Sequence, residues 1–360
     1  MPRQPARATP GSTTGAVPAQ RAPLPSGVRR RRLVLGLVGC LLALAAVLVL
    51  SLMVGANALP PSDVWHALWH YSPDDQASLI VVNSRLPRTL VGLLAGVALG
   101  LAGTVMQGLT RNPLADPGLL GVNAGASLAV VLGIAVFGVT SAAGYVPFAF
   151  VGAALASVAV YSVASLGREG ATPVKLALAG AAVSAALGSL VTAVLLTDAQ
   201  ALDQLRFWEV GALAGRDMDV VRQVAVPIAV GAVVALALGR ALNGLALGED
   251  VARALGQRIG LVRVVAAVAI VLLCGSATAA AGPIAFVGLI VPHAARRVVG
   301  TDYRWILVFS AVFAPTLLVA CDVIGRVVAY PGELQVGIVT AVVGAPLFIA
   351  LVRRRGGVSL

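Results

Sequence analysis

The chain has 360 residues, a formal net charge of +11, 59% hydrophobic against 11% charged residues, and a mean hydropathy of +0.94. A chain this apolar is a membrane protein. Its one lysine, Lys175, sits in GATPVKL (residues 170–176), which is not the Gly-x4-Gly-Lys-Ser/Thr loop that cradles phosphates, so no ATP motor of its own is recognisable.

In chain order, residues 1–28 are rich in Pro, Ala, Gly, Ser and Arg without apolar periodicity, and residues 1–32 together read as a disordered basic tail. Arg29 to Arg32 abut the first apolar run. Leu37 to Cys40 resembles a lipoprotein cleavage box, yet only about seven apolar residues precede Cys40 and the run continues to Met53, so an uncleaved first span is expected. Further apolar runs fall near 86–109, 119–138, 147–166, 174–196, 221–240, 263–281, 283–299, 305–327 and 336–352. Each approaches the roughly 20 residues needed to cross the hydrocarbon layer, and none alternates as a barrel strand would. The predicted fold is all-α and polytopic, with about ten transmembrane helices over residues 33–355.

An even number of spans puts both termini on one side. With the N-terminus inside, 20 of the 26 basic residues fall on the inner side and 10 of the 15 acids on the outer side. That is the positive-inside bias of a protein in the cytoplasmic membrane with both termini cytoplasmic, so the net charge reports orientation and not nucleic-acid binding. Cys40, Cys274 and Cys321 all lie in apolar runs and share no short spacing, so they read as packing residues, with no disulfide or metal implied.

His66 and His70, four apart between Ser62 and Tyr71, have a spacing metals can use, but Trp65 and Trp69 beside them suit an amphipathic helix at the membrane surface. In the second span Gly92, Gly96 and Gly100 recur every four residues, a face that lets a neighbouring helix approach closely. Arg111 to Pro117 (RNPLADP) reads as a tight polar turn on the inner side. Asn123 and Ser127 in the next helix should face either the protein interior or a water-filled path. Between the sixth and seventh spans, the segment 241–262 is too short and too charged to cross. In it Gly248 precedes Glu249 and Asp250, acids suited to the positive end of a short helix, and Gly256 can stop that helix. Val251, Ala252 and Leu255 make a small apolar face.

RLPR (85–88), TRNPLADPGLLGVNAGAS (110–127), GPIAFVGLIVPH (282–293) and TDYR (301–304) together resemble the membrane subunit of type II ABC importers for ferric siderophores, cobalamin and haem. The resemblance runs from about residue 33 to the end, with the motifs in the family's order. It implies a ten-helix permease that pairs with a second permease subunit, identical or homologous, above two cytoplasmic ATPase subunits and below an extracytoplasmic siderophore-binding protein. It also implies no cofactor and no ATP hydrolysis by this chain.

Residue by residue, the resemblance makes Leu247, Gly248, Glu249, Asp250, Ala252, Leu255 and Gly256 the helix that couples to the ATPase. It makes Arg85, Arg88 and Arg326 outer cations that pair with acids of the binding protein, a steering interaction. Ser184, Ser189 and Thr192 from the fifth span, with Gln335 and Thr340 from the tenth, would line the path, although such hydroxyls often bond their own backbone. Thr172, Pro173 and Val174 would stand at the inner gate, where some relatives carry a more hydroxyl-rich loop. His293, after Pro292, matches the motif in a structural role. An ion-driven transporter would want an acid near the bilayer midplane, and Asp322, about five residues from the outer end of its run, is poorly placed for that. The cargo expected is a ferric siderophore, with cobalamin or haem as the alternative.

Overall fold

The computed structural model describes residues 26–55, 58–166 and 172–353, and among these every regular element is helical. The chain opens with α1 (Ser26–Met53), which begins inside the segment read above as tail; residues 1–25 lie outside the described residues. The amphipathic α2 (Pro61–Trp69) follows, then α3 (Gln76–Ile80). A π turn at Val81–Arg85 joins α3 to α4 (Leu86–Thr110) without a break, making one helix of 35 residues. At 1.5 Å per residue that is about 50 Å, longer than the hydrocarbon layer, so part of it stands clear of the membrane.

The RNPLADP turn is built from two Asx turns. Asn112 Oδ1 accepts from Leu114 N at 2.9 Å and Asp116 Oδ1 from Gly118 N at 2.8 Å, the latter opening a 3₁₀ turn at Pro117–Leu120. Then come α5 (Val122–Phe137), α6 (Ala142–Ala164), α7 (Pro173–Thr197), the short α8 (Ala199–Glu209) and α9 (Met218–Ala237). Two small helices, α10 (Gly239–Ala246) and α11 (Glu249–Ala254), occupy the charged segment before α12 (Ile259–Ala281). The last three are α13 (Val287–Val299), α14 (Tyr303–Val328) and α15 (Val336–Arg353).

Ten of these helices fall in the ten apolar runs. Among the described residues seven are long and apolar enough to cross a membrane, while α5, α13 and α15 are shorter. α13 is cut to thirteen residues because Gly282, with φ 76°, and Pro283 end α12, and Phe286 takes a left-handed φ of 69° before the next turn starts.

α4 is the hub, packed by α14, α12, α13 and α9. Its glycines make this possible: a methyl at Gly96 would overlap the backbone of Pro315, one at Gly100 the carbonyl of Ser310, and one at Gly103 the carbonyl of Gly288. Polar bonds cross the same core. Thr104 Oγ1 donates to Ser310 Oγ at 3.0 Å, and Thr278 of α12 donates to Asn123 Oδ1 at 2.9 Å, which resolves Asn123 to the protein interior. α1 is the opposite case, with little of its apolar length buried in the chain, as expected of a peripheral helix facing lipid.

Candidate functional site

The two ends of α4 carry the two groups of candidate residues. At its start Arg85 and Arg88 meet Arg326 near the end of α14. All three guanidinium groups are used inside the chain. Arg88 forms a two-pronged pair with Asp322, Nη2 to Oδ1 at 2.8 Å and Nε to Oδ2 at 3.0 Å, and its Nη1 reaches Glu333 Oε2 at 2.6 Å. Arg326 pairs with the other side of Asp322 and donates to the carbonyls of Ser51 at 2.7 Å and Val54 at 2.9 Å. Arg85 donates to the carbonyls of Leu52 at 2.7 Å and Met53 at 2.8 Å. Two arginines therefore satisfy four carbonyls at the end of α1, where a helix leaves its acceptors open and its dipole favours cations.

The three arginines that the resemblance makes outer cations have buried side chains, and Asp322 is the counter-ion that Arg88 and Arg326 share. They are not shut away entirely. Arg85, Arg88 and Arg326 line an open cavity of about 240 Å³ with Ser84 and Glu333, and Glu333 remains the most exposed member of the cluster. Asp322, held between two cations, has no capacity left to bind a coupling ion.

At the other end, α11 is a single short helix bounded by two glycines that only their missing side chain permits, Gly248 at φ 110° and Gly256 at φ 80°. The acids of its first turn are engaged: Glu249 Oε1 accepts from Arg263 of α12 at 2.6 Å, and Arg253 spans Glu249 and Asp250. Leu247 at the end of α10, Val251 within α11 and Leu255 at its C-cap are all exposed. Ala252, read from sequence as part of a small apolar face with Val251 and Leu255, is fully buried, while those two are exposed. α10 is clamped to the bundle by Asn243, which donates to Asp302 Oδ1 at 2.7 Å and accepts from Tyr303 N at 2.8 Å, while Asp302 caps α14. Asn243, Arg263 and Asp302 were not singled out from sequence. The TDYR motif was the available signal for Asp302, while the two others meet their partners only through the fold.

The path candidates do not form one surface within this chain. Ser189 and Thr192 lie exposed on α7 with hydroxyls bonded to their own helix, to Ala185 O at 3.0 Å and Gly188 O at 2.9 Å; Ser184 is half-buried. Thr340 is buried and bonds Gly337 O at 3.0 Å. Gln335 lines a second open cavity, of about 290 Å³, between α8 and the start of α15. Exposed apolar side chains run along both helices, including Leu178, Leu190 and Leu196 on α7 and Val342, Leu347 and Ile349 on α15. Of the residues expected at an inner gate, Thr172 caps α7 by accepting from Lys175 N at 3.4 Å, Pro173 takes the first helical position and Val174 is exposed; Ala171 lies outside the described residues.

His66 and His70 stack at 5.1 Å on α2, whose Trp65 and Trp69 are exposed. Among the described residues no group of three or more His, Cys, Asp and Glu is arranged to hold a metal ion. His293 is buried in α13.

The FecCD transport family matches residues 41–354. The chain is 51% identical to the ferric enterobactin transport system permease protein FepD of Escherichia coli (strain K12), over 89% of this chain and 96% of that one. It is 43% identical to the probable siderophore transport system permease protein YfiZ of Bacillus subtilis (strain 168), over 84% and 91%. It is 34% identical to the hemin transport system permease protein HmuU of Yersinia pestis, over 89% and 96%. Among solved structures, a metal-chelate type ABC transporter in an inward-facing conformation superposes with a TM-score of 0.77 at 29% identity, over 88% of this chain and 98% of that one. A helical bundle with these motifs, this length and these matches is a multi-pass membrane permease, and the chain belongs to the FecCD transport family.

Proposed function

We propose that this chain is the permease subunit of an ATP-driven importer that carries a ferric siderophore across the cytoplasmic membrane, with both termini cytoplasmic. The observation that supports the reading is the α11 segment: braced to α12 through Arg263 and, through α10, to α14, yet leaving Leu247, Val251 and Leu255 exposed among the described residues. Apolar groups held rigidly at a polar end of a membrane protein mark a contact with another protein. A separate ATPase docked on Leu247, Val251 and Leu255 would push on two helices that pack against the α4 hub, and so on the bundle.

The outer cavity of Arg85, Arg88 and Arg326 is the docking place for a carboxylate of an extracytoplasmic binding protein, which would compete with Glu333 for Arg88. The apolar faces of α7 and α15 suit a second permease subunit, with the path between the two copies. The cargo follows from the 51% identity to a ferric enterobactin permease, above the 34% to a hemin and the 39% to a cobalamin permease.

The test is uptake of a labelled ferric siderophore into proteoliposomes. It should require the ATPase, ATP and the binding protein, and persist when the proton gradient is collapsed. Uphill uptake by the permease alone would end the proposal.

A further inference from the structure

Two cavities open beside the arginine cluster, divided by the Arg88–Glu333 pair that lines both. The larger, of about 290 Å³, takes its wall from α8, the chain between α8 and α9, and the start of α15. Three buried polar atoms of residues in that wall have no hydrogen-bond partner among the described residues: Nε1 of Trp208, Nε of Arg216 and Oε1 of Gln335. Trp208 is only 3% exposed. An unmet buried donor is costly, and three unmet groups around one cavity call for a common explanation.

Their chemistry narrows the occupant. Two are N–H donors, and one of these belongs to a cation. Burial draws the Arg216 guanidinium below its ordinary pKa, against the smaller opposing pull of Tyr145 and Asp217, so this cation would gain from an anion brought close. In the wall of this cavity Arg88 is already taken up by Asp322 and Glu333, which leaves Arg216 as its one cation without an ion pair among the described residues. Tyr145, Phe207 and Trp208 supply aromatic walls, with Tyr145 fixed by its bond to Gln204 Oε1 at 2.8 Å. Donors, a desolvated cation and flat apolar walls suit a flat oxyanion; Gln335 would accept from a hydroxyl or amide beside it.

We infer that this cavity binds a planar oxyanion, a carboxylate or aryl oxide, through Arg216, Trp208 and Gln335. Resting on the importer reading, the oxyanion is the oxygen-rich edge of the anionic cargo, met at the outer mouth between α8 and α15.

The test uses the full chain in lipid nanodiscs with fluorotryptophan, the Trp208 resonance being assigned by its loss in Trp208→Phe. Benzoate should shift that resonance saturably and benzamide, its neutral counterpart, should not. Arg216→Gln should weaken benzoate binding by about tenfold or more, and Arg216→Lys should recover part of it. Absence of a saturable shift, an equal response to benzamide, or unaltered affinity in Arg216→Gln overturns the site. In the complete importer Arg216→Gln should slow uptake while the affinity for loaded binding protein is retained. Benzoate binding with uptake unchanged in Arg216→Gln overturns the assignment to cargo and leaves a site for a free anion. Loss of ATP dependence in the unaltered importer would strike the importer reading instead, which the benzoate titration does not touch.

Discussion

The two ends of the bundle use the same ingredients, arginines with acidic partners, to opposite ends. In the Arg88–Asp322–Arg326 cluster the side chains are 2–10% exposed and join α4, α14 and the end of α1. In α11 the Arg253–Asp250 pair is 61% and 100% exposed and joins residues of a single helix. Buried pairs become indispensable once made, because removing one member strands a charge, whereas exposed pairs are screened and nearly neutral. The arginine end is therefore structural before it is anything else. The α11 end leaves its surface free for a partner.

The largest expected effect of a single change is at Asp322. Asp322→Ala strands two buried guanidinium groups and should cost about 3–5 kcal/mol, read as a collapse of the thermal unfolding midpoint in detergent or loss of folded protein. Next is the hub, where Gly103→Ala forces a methyl onto the Gly288 carbonyl and should cost about 1–3 kcal/mol by the same assay. Smaller in stability and larger in function is Leu255→Asp, expected to shift stability by no more than about 0.5 kcal/mol while abolishing co-purification with the ATPase. Smallest is Asp250→Ala, which removes only an exposed pair and should move stability by no more than about 0.5 kcal/mol in the same thermal unfolding assay. A large effect at Asp250, or a small one at Asp322, would erase the distinction between the ends.

Much of this was legible in the sequence because hydrocarbon imposes a length and composition on every span, and the ten runs recur as ten helices. The limits of α11 were legible too, since Gly248 and Gly256 are needed for backbone angles other residues avoid. What the sequence hid were partnerships across long separations. Asp322 stood out as an acid inside an apolar run, but its bond to Arg88, 234 residues away, exists only once α4 and α14 pack through Gly96 and Gly100. For that reason the sequence offered Arg88 and Arg326 a partner in another protein and none within the chain. α8 was missed although its signal was present: Asp198 caps it, and Ala201, Leu205 and Trp208 repeat at helical spacing on its buried face. A short amphipathic helix with a polar average does not register as an apolar run, and it carries one wall of the larger cavity.

The central claim is that work done outside this chain enters through the apolar edge of α11. The direct measurement is ATP-driven uptake in proteoliposomes by permease in which Leu247, Val251 and Leu255 are all changed to Ser, with folding checked by thermal unfolding. The account predicts a normally folded permease, an ATPase subunit that still hydrolyses ATP, and no uptake. Uptake at the unaltered rate would contradict it.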